Sequence, residues 1–314
     1  MDSLIYSLNA TVPVFLVMAL GYALRRMGIL NENFVTVSNS FNFKVTLPVL
    51  LFCDMASADI AQNFQPRLVA FCALATTAAF FVIWFLARRF LGDRRAVGAF
   101  VQACYRSSVA VLGVAFITNV YGDAGAAPQM ILGCVPLFNI YAVLVLTVEG
   151  ESEASLGREL IQAARGVVTN PIIIGLAAGV VFSLLPVHMP AILDKTLGLV
   201  GSLATPQALI CIGAGFEGRK ALAKLKPSLT AAFVKVLGLP LVILPAAVAL
   251  GFRDQALMAI LIMLGSPTTP SSYVMAQNMG ADGVLTSSTV VATTVLSAFT
   301  LTFWIFLLRQ LGLV

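Results

Sequence analysis

The chain has 314 residues, of which 59% are hydrophobic and only 11% charged, and its mean hydropathy is +0.96. A soluble globular domain is roughly 25% charged. The composition therefore argues against large soluble domains and indicates a polytopic membrane protein. The chain has a net charge of +5, and its basic residues are concentrated in loops, where they indicate membrane topology. Nucleic acid is therefore not an expected partner.

Ten apolar segments are long enough to cross a bilayer, which takes about 20 residues in a helix. They lie at 4–25, 34–55, 67–88, 96–119, 128–148, 167–186, 191–215, 228–250, 255–279 and 284–308. The connections between them are short except for a polar link at 149–165. The sequence therefore predicts an all-α membrane protein with ten transmembrane helices.

Lysine and arginine concentrate in one alternating set of loops. Twelve lie on one side, namely Arg25, Arg26, Arg88, Arg89, Arg94, Arg95, Arg158, Arg165, Arg219, Lys220, Lys224 and Lys226. Four lie on the other, namely Arg67, Lys195, Arg253 and Arg309. By the positive-inside rule the first set is cytoplasmic. We therefore expect a multi-pass protein of the cell (inner) membrane with both termini on the extracytoplasmic side.

The sequence matches itself at a shift of 158 residues. TVPVFLVMALG at 11–21 aligns with TNPIIIGLAAG at 169–179, and KVTLPVLLFCDMA at 44–56 aligns with SLATPQALICIGA at 202–214. The two matches share prolines at equal offsets and occur in the same order in each half. They predict an internal repeat.

The predicted repeats are two five-helix halves, residues 1–148 and 166–314, joined by a cytoplasmic linker at 149–165. Because five is an odd number, the halves must enter the membrane from opposite sides. Inverted repeats of this kind occur in many secondary transporters, whose substrate sites lie near the midplane on broken helices.

The ninth span is interrupted by Pro267 and Pro270, which deprive preceding carbonyls of hydrogen-bond donors. The hydroxyl-bearing residues there are Ser266, Thr268, Thr269, Ser271 and Ser272. Irregular backbone survives in a bilayer only against protein or a wet cavity. A half-helix that begins near Pro270 would aim its amides into the gap, so an anion is the expected ligand. A kink patched by hydroxyls is the alternative.

The matching position in the first half is the fourth span, where Arg106, Ser107 and Ser108 lie at mid-span and Ser108 aligns with Ser266. An arginine at the centre of a span costs at least about 2.5–3.5 kcal/mol, so it normally faces a cavity or a partner. Snorkelling to an interface is the alternative.

Two lysines also lie within spans. Lys44 comes one turn before Pro48 and is expected to face the same site. Lys235 lies about a third of the way into the eighth span, from which it can snorkel. Asp54 is near a span end, so we expect these cations to lack a carboxylate at their depth. A small carboxylate substrate, including a dicarboxylate, would supply the missing charge.

Pro48 and Pro206 occupy matching positions in the second and seventh spans, either as hinges beside the site or as simple kinks. Gln207 offers a polar contact to substrate there. The only histidine, His188, lies in a loop, and neither a P-loop nor a hydrolase motif is present. We expect no metal, no cofactor and no enzymatic activity. Coupling to protons, to sodium or to no ion stays open, and sodium is disfavoured because no acidic residue adjoins the freed carbonyls.

Several stretches identify a family. GYALRRMGIL at 21–30, FNFKVTLPVLLF at 41–52, NPIIIGLAAGVV at 170–181, LATPQALICIGAGFE at 203–217 and SPTTPSSYVMAQNMG at 266–280 resemble the auxin efflux carrier family over essentially the whole chain. The resemblance implies a scaffold domain of spans 1, 2, 6 and 7 and a transport domain of spans 3–5 and 8–10. It also implies crossing of the fourth and ninth spans and elevator-type transport.

The fourth span departs from the family pattern. Members commonly carry an asparagine, a glycine and a proline where this chain has Ser108, Gly113 and Ala115. This departure favours a small polar anion, such as malonate, over an aromatic acid of the auxin type. We therefore expect a secondary active transporter of a small organic anion in the lipid bilayer. An anion channel or a non-transporting receptor is the alternative, and assembly into a homodimer through the scaffold domain stays open.

Overall fold

The computed structural model of the protein describes residues 2–57, 65–109, 117–118, 120–122, 125–150, 164–185 and 189–314. This part of the chain is helical and contains no strand. Some sequence predictions fall outside the described residues, namely those on Gly113, Ala115, His188 and linker residues 151–163.

The helices of the first half are α1 (Asp2–Arg26), α2 (Glu32–Phe41), α3 (Leu47–Ala56), α4 (Pro66–Phe90), α5 (Arg94–Tyr105) and α6 (Ala127–Val148). A π-helical segment, π1 (Asn42–Thr46), joins α2 to α3. Side-chain caps fix two of the helix starts, because Asn31 accepts from the amide of Phe34 and Asp93 accepts from that of Arg95.

The helices of the second half are α7 (Pro171–Leu184), α8 (Ala191–Ser202), α9 (Ala204–Ala214), α10 (Gly218–Ala223), α11 (Leu225–Phe233), α12 (Leu239–Ala249), α13 (Asp254–Gly265), α14 (Ser271–Asn278) and α15 (Gly283–Gln310). A second π-helical segment, π2 (Val234–Gly238), joins α11 to α12. Residues 266–270 separate α13 from α14, so the ninth apolar segment is broken where the sequence places its two prolines.

In the described part of the chain, five helical stretches are long and apolar enough to cross a bilayer. They are Pro66–Phe90, Ala127–Val148, Ala191–Ala214, Leu225–Ala249 and Gly283–Gln310. Pro171–Leu184 and Asp254–Gly265 are shorter apolar helices. The protein is therefore a multi-pass membrane protein.

Two helix pairs pack backbone against backbone. A Cβ atom at Gly21 of α1 would lie 2.3 Å from the carbonyl oxygen of Ile210 on α9. One at Gly179 of α7 would lie 2.5 Å from that of Phe52 on α3. Only glycine permits so close an approach. The shift of 158 residues that aligns the two halves also relates Gly21 to Gly179 and Phe52 to Ile210.

The π segments precede prolines that cannot donate a backbone hydrogen bond. Pro48 lies in the first turn of α3 and Pro240 in that of α12. A π turn inserts one extra residue, which rotates the side chains around it relative to a regular helix. The two segments orient their lysines differently, because Lys44 is exposed whereas Lys235 is completely buried.

Candidate functional site

The breaks in the fourth and ninth apolar segments contact each other directly. Helix α5 ends at Tyr105, and residues 106–108 are not helical. The amide of Ser108 donates to the carbonyl oxygen of Pro267 over 3.0 Å, and the hydroxyl of Thr268 donates to that of Ala103 over 2.6 Å. The backbone groups released by each break are therefore satisfied partly by the other.

Arg106 is the charged residue at the centre of this junction. Its side chain is only 2% exposed, although a guanidinium stays protonated in proteins. It donates hydrogen bonds to Asn139 (3.1 Å), Ser271 (2.9 Å), the sulfur of Met275 (2.8 Å) and Gln102 (3.5 Å). These partners lie on α6, α14 and α5, so the side chain joins three helices.

Among the described residues, the hydrogen-bond partners of the Arg106 guanidinium carry no charge. Among the described residues, its contacts are neutral amide, hydroxyl and thioether groups, and none is a carboxylate. Its Nε atom is buried and has no hydrogen-bond partner in the same part of the chain. A buried positive charge with an unused donor is costly unless an anion binds beside it.

A cavity of about 70 Å³ lies beside this guanidinium. Its polar lining residues are Asp54, Arg106, Ser107, Ser108, Asn139, Thr205, Thr269 and Ser271. They come from two groups of helices that meet at the cavity. Asp54 and Thr205 lie on α3 and α9, and the others lie on or beside α5, α6 and α14. This volume is well below the roughly 300–1,000 Å³ of typical ligand pockets, so binding of an organic acid requires the walls to separate.

The residues predicted from the ninth span divide into two groups. Thr269 and Ser271 line the cavity and their hydroxyl oxygens lie 3.1 Å apart. Ser266, Thr268 and Ser272 are buried behind it. Thr268 and Ser272 hold the break, since the hydroxyl of Ser272 caps the carbonyl oxygen of Thr269 at 2.6 Å. Pro267 and Pro270 are both buried within the break.

Two expected site residues lie elsewhere. Lys44 is exposed, because the neighbouring Asn42 and Thr46 face inward and bond each other at 2.8 Å. Gln207 does not line the cavity, and its amide donates to the carbonyl oxygen of Ser38 at 3.2 Å. Neither side chain therefore lines this cavity, although both were expected to face substrate.

The prolines of the second and seventh apolar segments also lie away from the cavity lining. Pro206 is exposed, and Pro48 is half-buried where a Cβ atom at Gly175 would lie 2.4 Å from its carbonyl oxygen.

Sequence reasoning missed three residues of this site. Asn139 orients the guanidinium of Arg106, and its own amide donates to the carbonyl oxygen of Val135 at 2.9 Å. Gln102 donates to the carbonyl oxygen of Ser272 at 3.0 Å. Asp54 brings a carboxylate to the wall of the cavity that Arg106 also lines, which corrects the expectation that its position near a span end keeps it away from the buried cations. Asn139 and Gln102 are polar residues inside apolar spans, and this feature of the sequence could have identified them as site residues.

A second, much larger cavity of about 1060 Å³ lies among the basic loops. Its charged lining residues are Arg25, Arg26, Glu32, Glu217, Arg219 and Lys220, and its polar lining residues include Asn39, Tyr273, Gln277 and Asn278. Lys220 donates to Glu217 at 2.8 Å, and this bond raises the pKa of Lys220. We call this large cavity the vestibule. Helix α14 connects the two cavities, because its first residue, Ser271, lines the small one and Tyr273, Gln277 and Asn278 line the vestibule.

Comparison with known proteins identifies the family. A family model described as membrane transport protein matches residues 6–305. The chain belongs to this family. The resemblance to the auxin efflux carriers is thereby confirmed, since this is the same family.

Similar proteins occur in bacteria and archaea, and their names are those of transporters. The "Uncharacterized transporter" of Methanothermobacter thermautotrophicus is 23% identical over 304 residues, covering 95% of this chain and 97% of its own. The "Putative malonate transporter" of Rhizobium meliloti is 23% identical over 305 residues, with 95% of each chain covered. The "Uncharacterized transporter YfdV" of Escherichia coli (strain K12) is 22% identical over 283 residues, covering 87% and 88%.

Proposed function

We propose that this protein is a secondary active transporter of a small organic anion, with a dicarboxylate such as malonate as the leading substrate. The observation that carries the proposal is the buried guanidinium of Arg106, which lies on a cavity where two helix breaks meet and has no carboxylate partner among the described residues. A substrate carboxylate supplies the missing charge and accepts from the free Nε atom.

The second attraction for an anion comes from α14. Its first residue, Ser271, lies on the cavity wall, and the amides of its first turn carry about half a positive charge at the helix start. The Ser271 hydroxyl accepts a hydrogen bond from Arg106. The guanidinium and the start of α14 are therefore close enough to attract the same anion. Ser108 and Thr269 provide hydroxyls for further substrate oxygens.

The lining residues of the cavity are half polar or charged and half aliphatic or aromatic, and its charged and hydroxyl groups favour a small hydrophilic acid over an aromatic one. Stacking against an indole ring would require aromatic surface, and among the described lining residues only Phe138 is aromatic. The name of the Rhizobium meliloti relative points to the same substrate class.

We also propose the inverted-repeat architecture of ten spans for this chain. Every helix described above, except the short α10 (Gly218–Ala223), overlaps one of the ten predicted spans. The paired close approaches Gly21–Ile210 and Gly179–Phe52 support a pseudo-twofold relation between halves, because the shift of 158 residues exchanges one pair with the other.

The proposed mechanism is movement of a transport domain, spans 3–5 and 8–10, against a scaffold of spans 1, 2, 6 and 7. The cavity supports this division, because Asp54 and Thr205 belong to the scaffold and Arg106, Asn139 and Ser271 to the transport domain. Relative movement would widen the cavity enough to admit substrate. The vestibule among the basic loops would then be the cytoplasmic opening, with both termini outside a cell (inner) membrane.

Uptake of radiolabelled malonate into proteoliposomes tests the proposal, with Arg106→Ala and Arg106→Lys as the variants. Arg106→Ala should abolish uptake, since truncating one partner of a buried charged contact costs about 2–5 kcal/mol, or roughly 30-fold or more in affinity. Arg106→Lys keeps the charge but loses the planar fork, so it should retain weak uptake.

The same assay separates the alternatives, provided that each variant elutes from a sizing column as the wild type does. Wild-type uptake by Arg106→Ala would overturn the assigned site. Flux that fails to saturate with malonate concentration would indicate a channel. Binding of small acids without any flux would indicate a receptor.

A further inference from the structure

Lys235 is a second buried cation close to the junction of the two breaks. Its side chain has 0% exposure, so it does not snorkel to the interface as its position in the eighth apolar segment suggested. Its ammonium donates to the carbonyl oxygens of Leu264 (2.7 Å) and Met263 (3.4 Å) and to the hydroxyl of Ser107. In the described part of the chain, these neutral oxygens are its only hydrogen-bond partners.

The local backbone explains why the lysine points inward. Pro240 cannot donate to the carbonyl oxygen of Val236, and this oxygen accepts instead from the indole nitrogen of Trp304 at 3.1 Å. The π turn at Val234–Gly238 inserts one extra residue just before this point. Lys235 thereby faces the ninth apolar segment instead of the surface.

The carbonyl oxygens that receive the ammonium belong to the broken end of α13. Met263 and Leu264 lie in its last turn, where carbonyls lack intrahelical donors and the helix dipole places partial negative charge. Pro267 cannot supply one of the missing donors. In transporters with discontinuous helices, unwound carbonyls and half-helix C-terminal ends of this kind coordinate the coupling cation.

We propose that the Lys235 ammonium is a tethered cation that fills a monovalent-cation site formed by Met263, Leu264 and Ser107. With the site filled by the protein, binding of sodium or potassium is unnecessary for assembly of the junction. Ser107 connects this site to the substrate cavity, since the same hydroxyl donates to the carbonyl oxygen of Met263. Anion transport therefore runs without a sodium gradient, a consequence that rests on the proposed function.

The first arm of the test uses the wild-type protein. Its melting temperature in detergent is measured in sodium, potassium and choline chloride of equal ionic strength, and malonate uptake is measured with and without an imposed sodium gradient. The melting temperature should be the same in all three salts, and the rate of malonate uptake should be the same with and without the sodium gradient. Stabilisation by sodium, or uptake that needs the sodium gradient, would overturn the proposal.

The second arm uses Lys235→Ala, which removes the tethered cation and leaves its oxygen partners in place. This variant should melt well below the wild type in choline and recover by several degrees in sodium, potassium or ethylammonium, which can occupy the vacated space. Lys44→Ala is the matched control, because it removes the exposed lysine of the other π segment and should respond to none of these cations. Equal melting of folded Lys235→Ala in all salts would contradict the proposal.

Each arm of the test gives a result even if the other arm fails. Should Lys235→Ala not fold, the wild-type arm still decides the cation requirement. The melting measurements contain no organic anion, so their outcome does not depend on malonate being the substrate. Lack of malonate uptake beside the expected melting pattern would refute the proposed function and leave the tethered cation standing.

Discussion

The backbone amide of Ser108 donates a hydrogen bond to the carbonyl oxygen of Pro267 over 3.0 Å. This bond joins the interruption of one half of the chain to the interruption of the other. Because an unpaired backbone group inside a membrane costs several kcal/mol, neither break is stable alone. The junction therefore couples the geometry of Arg106, two residues away, to that of the α14 start.

Ser108→Pro tests this coupling, since proline has no amide to donate. The variant should lose about 1–3 kcal/mol of stability through the unsatisfied carbonyl of Pro267, and its melting temperature should fall. Ser108→Ala is the control, because it keeps the backbone bond and should melt close to the wild type. Equal melting of the two variants would show that the bond contributes little.

Asp54→Asn tests the carboxylate on the cavity wall. If anions bind beside Arg106, removing this negative charge should tighten malonate binding, by up to about tenfold or 1.4 kcal/mol. Isothermal titration at neutral pH measures the change. Asp194→Asn is the control, since Asp194 lies on neighbouring α8 but is exposed. Weaker malonate binding by Asp54→Asn would mean that Asp54 helps to hold the substrate.

Lys44→Gln tests whether the exposed lysine of the first half takes part in transport. Lys44 is exposed and lines neither of the two cavities described above. The initial rate of malonate uptake should stay within about twofold of the wild type, as for surface substitutions away from special features. A loss comparable to that of Arg106→Ala would place Lys44 on the substrate pathway after all.

Gly213→Ala tests the close packing of α1 against α9. The new Cβ atom would lie 1.9 Å from the backbone oxygen of Met18, so the helices must separate. Such overpacking typically costs about 1–3 kcal/mol, and the melting temperature should fall. Gly198→Ala is the matched control, because nothing lies within 4 Å of its Cβ position and alanine favours the helix. Similar melting of both variants would contradict the close approach.

Several features of this protein were predictable from the sequence because each depends on local chemistry. Apolar length predicts spanning helices, as at Pro66–Phe90. Pro267 and Pro270 predict a break wherever they occur in a helix. The cost of a mid-span arginine predicts that Arg106 is buried against polar groups. The resemblance to the auxin efflux carriers implied that the fourth and ninth spans cross, and the alignment of Ser108 with Ser266 paired their mid-span positions.

The roles of the two lysines could not be predicted, because they depend on the π turns. A regular helix advances about 100° per residue, so one inserted residue changes which side chains face inward. At π1 this places Asn42 and Thr46 inside and Lys44 outside. At π2 it buries Lys235 against α13.

The sequence alone thus determined the family, the membrane class and the positions of the breaks, since composition, proline placement and motif order carry that information locally. Only the tertiary structure decided which polar groups share a cavity. Asn139 bonds to Arg106 and Asp54 lines the same cavity through packing between helices that are distant in the chain. Such contacts depend on helix rotation and on approach distances that glycines permit, and neither is encoded by any single segment.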